Sequence, residues 1–147
     1  MARFVRSLAN YNEPTAVEWR VAASQTINQG DIVAVDSTSR YLIPAVAASA
    51  NLVGIAQQSI TTGASITAND KIAVLPLTDV VIRVGFTGSS KTTLADTDLV
   101  TTLFDLSNAT TMNLDDTTGG MCSVVDYDNA RGTADIIIAA ANIKKIG

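Results

Sequence analysis

The chain reads as an all-β protein, and three observations lead there. Apolar residues alternate with polar ones at a period of two, β-branched residues crowd those stretches, and turn residues interrupt them roughly every 8–12 positions. At 147 residues the chain has the length of one domain. No break in composition divides it, so residues 15–147 are expected to form a single β-rich domain, a barrel or a sandwich, behind an extended arm at residues 1–14.

The elements follow in order. Residues 1–14 carry Arg3, Arg6 and Glu13, a net charge of +1, while the whole chain is −4. A slightly basic, partly apolar start on an acidic body suits an arm that docks elsewhere. Arg3, Phe4, Val5, Arg6, Leu8 and Tyr11 are its candidate contact residues. Residues 17–22 place Val17, Trp19 and Val21 on one face of a strand, with Glu18 and Arg20 on the other. Thr15 and Glu18 also fit a capping box, the start of a rival helix, but the alternation favours the strand. Trp19 is the expected core anchor.

Asn28-Gln-Gly-Asp31 is a turn in which Gly30 is free to take a positive φ. Residues 32–35 follow as a strand, 36–40 as a turn, and 41–44 as the returning strand. Pro44 places that strand's end, or a sheet edge, there. Further strands are expected at 52–57, 71–75 and 80–86, with Gly63, Pro76 and Asp79 marking the breaks. Residues 88–91 form a loop. Residues 93–100 suit either a short helix or an extended segment, and 100–106 look β. Asp115-Asp-Thr-Thr-Gly-Gly120 is a strong turn, 121–126 a strand, 128–132 a turn and 134–139 the last core strand, before a tail with Lys144 and Lys145.

Composition excludes several kinds of chemistry. There is no histidine, so a Ser-His-Asp or Cys-His mechanism has no imidazole. The single cysteine, Cys122, supports neither a zinc site nor a disulfide framework, and its apolar neighbours read as a buried thiol. A pI near 4.5 and few, dispersed basic residues argue against nucleic acid as a partner. A mean hydropathy of +0.26 with 16% charged residues argues against disorder. No run approaches the ~20 apolar residues of a membrane span, and Arg6 interrupts the start before a secretory signal could form. The chain is therefore expected to be made without export and to stay off membranes.

Three motifs invite chemistry and fail. Asp126-Tyr-Asp128-Asn129 opens like a calcium loop, but Arg131 and Ile137 stand where its glycine and glutamate belong. The pairs Asp96/Asp98 and Asp115/Asp116 sit beside turn residues, where aspartate caps backbone N–H groups. Gly85-Phe-Thr-Gly-Ser-Ser-Lys91 lacks the phosphate-loop spacing. No catalytic residue, metal ligand or cofactor is expected, and the protein reads as no enzyme.

One resemblance is more specific. Ile27-Asn-Gln-Gly-Asp-Ile-Val33, Tyr41-Leu-Ile-Pro-Ala45, Leu52-Val-Gly-Ile-Ala56 and Lys71-Ile-Ala-Val-Leu-Pro76 follow one another at characteristic spacing. Leu103-Phe-Asp-Leu106, Asp115-Asp-Thr-Thr118, Val124-Val-Asp126 and Ile136-Ile-Ile138 continue the pattern. Over residues 17–139 the chain resembles the decoration, or cement, proteins of tailed-bacteriophage heads. The resemblance implies a β-barrel or β-tulip-like core and a homotrimer on the outer capsid surface of the virion. It also implies a bridging contact to the major capsid protein, with an N-terminal arm reaching the shell or a neighbour. Two alternatives stay open: another virion part, such as a tail or head-fibre domain, and a β module that binds carbohydrate or another ligand.

Overall fold

β-branched residues stiffen the backbone into extended segments, and turn residues set where each segment stops. The computed structural model describes residues 1–8, 13–47 and 49–144. In chain order the strands are β1 (Arg3–Ser7), β2 (Val17–Arg20), β3 (Thr26–Ile27), β4 (Ile32–Val35), β5 (Leu42–Pro44), β6 (Leu52–Ala56) and β7 (Ile60–Thr61). They continue as β8 (Lys71–Pro76), β9 (Val80–Thr87), β10 (Leu103–Asn108), β11 (Thr111–Asn113), β12 (Cys122–Asp128) and β13 (Thr133–Ile138). Two one-turn 3-10 helices lie at Asp96–Asp98 and Ala140–Asn142.

The strands form two main sheets and a small β3–β7 ribbon. In the first sheet β9, β11, β10, β12 and β13 pair in that order, and β13 returns to β9. Those five strands therefore close a small barrel. One edge of β9 bonds β13 at residues 82–85; β1 and β11 share the other. The β11–β9 pairing is parallel, and residues 88–110 supply the crossover that a parallel neighbour demands. The second sheet runs β2-β8-β6-β4-β5, all antiparallel. It curls until its two ends meet: Val21, just past β2, bridges Leu42 of β5, and the Ala22 N–H donates to the Leu42 carbonyl at 2.9 Å.

Two apolar clusters hold these layers. The larger joins both sheets, with Ile32, Leu52 and Ile55 from the second meeting Phe104, Leu106 and Ile136 from the first. The smaller contains Val21, Ile27, Val33, Leu42, Val53 and Val74. Ile32 and Val33 thus face opposite clusters, as do Leu52 and Val53. Burial on both faces explains why β4 and β6 read as unbroken apolar runs.

Most expected strands stand within a residue or two of their positions. Gly30 has φ +88°, as its turn requires, and Pro44 ends the edge strand β5. Other expectations change. Residues 93–100 hold only the 3-10 turn, and β10 starts at Leu103 because Val100 has φ +63°, outside any strand. Trp19 is half-buried at the flank of the smaller cluster, so it is not the core anchor. It lies on edge strand β2, where among the described residues one neighbouring strand, β8, flanks it. Phe104, 1% exposed, takes the central place. The largest change concerns the start of the chain. Residues 3–7, read as part of an arm, are strand β1 of the first sheet, because ladder bonds to β9 and burial of Ala2 hold them there.

Candidate interaction surface

β1 is tied at both ends. The Ala2 N–H donates to the Gly30 carbonyl at 2.8 Å, and the Leu8 N–H donates to the Asp79 carbonyl at 2.8 Å. Between them Arg3, Phe4, Arg6 and Ser7 pair with Arg83, Ile82, Val81 and Val80. The register shifts between Phe4 and Arg6, so Val5 is the extra residue of a bulge. Arg3 and Arg6 are consequently exposed, Phe4 packs partly on the larger core, and Val5 is half-buried. Among the described residues β1 bonds a strand on one edge only. Leu8 is 48% exposed and lines an apolar groove of about 250 Å3 with Ile137, Ile138, Ala140 and Ile143. Tyr11 lies outside the described residues.

The register builds a row of charge across four strands. Arg3 of β1 faces Arg83 of β9, Arg83 faces Asp135 of β13, and Asp135 faces Asp126 of β12. Arg83 donates twice to Asp135, Nε to Oδ1 at 2.6 Å and Nη2 to Oδ2 at 2.8 Å. This fork satisfies a carboxylate that is almost wholly buried. Arg3 and Arg6 form no ion pair with described residues, so the basic end of the row faces solvent at β1. The sequence reading missed the Arg83–Asp135 pair. A usable signal was present: single opposite charges inside the apolar stretches Val80–Thr87 and Thr133–Ile138.

Several other aspartates cap and clasp. Beside the charge row lies a polar cleft of about 450 Å3 lined by Arg83, Tyr127, Asp128 and Arg131. In the failed calcium loop, Asp128 Oδ1 accepts the Ala130 and Arg131 N–H groups at 3.0 and 3.1 Å, as a turn cap does. No group of three or more His, Cys, Asp or Glu among the described residues could hold a metal. The loop that loosely resembled a phosphate cradle does gather N–H groups. Those of Ser89, Ser90 and Lys91 all point at the Asp115 carboxylate. The Lys91, Ser89 and Ser90 N–H groups, in that order, hold the Asp115 carboxyl below its usual range. The chain's own anion fills this nest.

Asp98 accepts the Ala95 N–H at 2.9 Å and the Lys91 ammonium at 2.9 Å. Burial pushes its carboxyl up, yet the Lys91 bond, the Ala95 N–H and the Lys91 charge outweigh that, leaving it below its ordinary value. Cys122 is fully buried in the larger core; burial, then the Asp105 charge, pushes its thiol far up and keeps it protonated.

The site residues named from sequence thus divide. Arg3, Arg6 and Leu8 are exposed on or just beyond one edge strand, while Phe4 and Val5 partly anchor that strand to its own domain. No protein-family model and no curated protein matches the chain.

Proposed function

We propose that the protein is a virion structural protein that binds the outer surface of a tailed-phage capsid and stabilises it by bridging neighbouring major capsid proteins. The observation that carries this reading is β1: an edge strand that turns two arginines outward, without an ion pair among the described residues, with exposed Leu8 just beyond it, on an otherwise acidic chain. An edge with open ladder positions can pair with a chosen partner, while its arginines and bulge discourage indiscriminate pairing, which suits a protein that works by contact. The motif residues behind the resemblance support the same reading. Ile32–Val35, Leu52–Ala56 and Lys71–Pro76 are adjacent strands of the second sheet, so the segments that carry the resemblance pack side by side. A homotrimer, the expected assembly, would sum three weak shell contacts into firm attachment.

The test is co-sedimentation of the purified protein with undecorated, expanded heads. Binding is expected, and Arg3→Glu with Arg6→Glu should weaken it while the melting temperature holds. Deleting the whole start would not serve, because it removes a strand of the barrel's sheet. A folded protein that leaves heads undecorated overturns the proposal, and attachment to tails alone would transfer it to another part of the virion.

A further inference from the structure

Residues 88–102, the first part of the crossover from β9 to β11, lie against the barrel without joining either sheet. They bury one apolar side chain completely, Leu94, 3% exposed, and Leu99 packs on the same core in part. Their attachments are otherwise polar and mostly made by side chains. At the start, Asp115 takes the three N–H groups of Ser89, Ser90 and Lys91. In the middle, Asn129 accepts the Leu94 N–H and donates to the Leu94 carbonyl, both at 2.9 Å. The Tyr127 hydroxyl donates to Asp96 at 2.9 Å. Near the end, the Val100 N–H donates to the Val124 carbonyl at 2.8 Å. Internally, Lys91 pairs with Asp98 and Asp98 caps Ala95, so the segment carries its own bracing.

A segment with little apolar burial, internal bracing and a few discrete clasps can open without unfolding its support. We propose that residues 88–102 form a lid that opens as one unit while the barrel stays closed, and that Asp115 is its main fastener. Opening withdraws Leu94 from the core and gives the barrel a second state. The charged and titratable groups around the clasps are Lys91, Asp96 and Asp98 on the lid, and Asp115, Asp126, Tyr127, Asp128, Arg131 and Arg83 on the barrel side. No histidine is among them, so acid removes acceptor charge and supplies no new cation. Both Asp115 and Asp98 are held low, so the fastening is complete above the ordinary carboxylate range and is lost as pH falls through their lowered values.

Amide hydrogen exchange on the full chain tests this. The amides of Ser89, Ser90, Lys91, Leu94 and Val100 should share one protection factor, well below that of β12 and β13. Asp115→Asn should lower protection roughly tenfold or more at all five, including Leu94 and Val100, which do not touch Asp115, and leave β12 and β13 unchanged. Asn129→Ala should loosen Ser89, Ser90 and Lys91 in the same way from the other clasp. In the unmodified protein, acidification should lower protection of the five together before the barrel responds, which keeps the proposal testable should a variant fail to fold. Lid amides that share the barrel's protection, or an Asp115→Asn effect confined to its three direct donors, would overturn it.

Discussion

Gly54 stands in the middle of β6, in a run buried along its whole length, and has no positive φ to justify a glycine. Its reason is space. A Cβ there would fall within contact distance of the Leu75 carbonyl oxygen and a Val74 methyl, and 2.9 Å from the Leu75 carbonyl carbon. Two of these three are backbone atoms of β8, which is itself bonded to β2 and β6. The strand cannot yield without loosening both ladders. Overpacking a core costs about 1–3 kcal/mol, and a clash against fixed backbone belongs at the top of that range. Gly54→Ala is therefore expected to destabilise by about 3 kcal/mol, a drop of roughly 6–12 °C in melting temperature for a chain of this size. Gly63→Ala is the control, since a Cβ there meets nothing within 4 Å. It should shift stability by less than about 0.5 kcal/mol. Urea denaturation of the two variants measures both. A Gly54→Ala protein within about 0.5 kcal/mol of the parent at an unchanged m-value would refute close β6–β8 packing as the reason for the glycine.

Three further outcomes follow from burial, backbone and charge. Phe104→Ala should cost about 3–5 kcal/mol and Trp19→Ala only about 1–2, because the first side chain is enclosed and the second lies at a flank; chemical denaturation giving the reverse order would contradict the core assignment. Val100 is a β-branched residue at φ +63° with 66% of its surface exposed, so Val100→Gly should stabilise by about 1 kcal/mol, read as a rise in melting temperature. Asp98 and Asp115 are held below their ordinary values, so stability should be level from pH 7 to about 5 and fall below about pH 4 as they take up protons. Melting curves that rise on acidification would contradict that sign.

The sequence by itself determined the strands whose signals are local. The apolar runs of Val80–Val84 and Ile32–Val35, the turn at Gly30 and the edge at Pro44 all depend on neighbours along the chain, and each was legible there. Tertiary structure decided what depends on distant partners. The two-residue strands β3 and β7 exist only because they pair with each other, and three-residue β11 is held between β9, parallel to it, and β10, antiparallel to it. The same holds for the start of the chain. Arg3–Ser7 carries the composition of a free arm, and whether it projects or pairs rests on the open edge that β9 offers about eighty residues later. Trp19 shows the converse, since alternation placed it on an inward face but could not reveal how little covers that face. The candidate surface was legible in part: the basic and apolar residues were visible, while their display along a strand edge was not. Closure of the barrel, the Arg83–Asp135 fork and the capture of three backbone N–H groups by Asp115 belong to structure alone. Each joins residues more than twenty positions apart, and periodicity along a chain carries no information about which of its segments will meet.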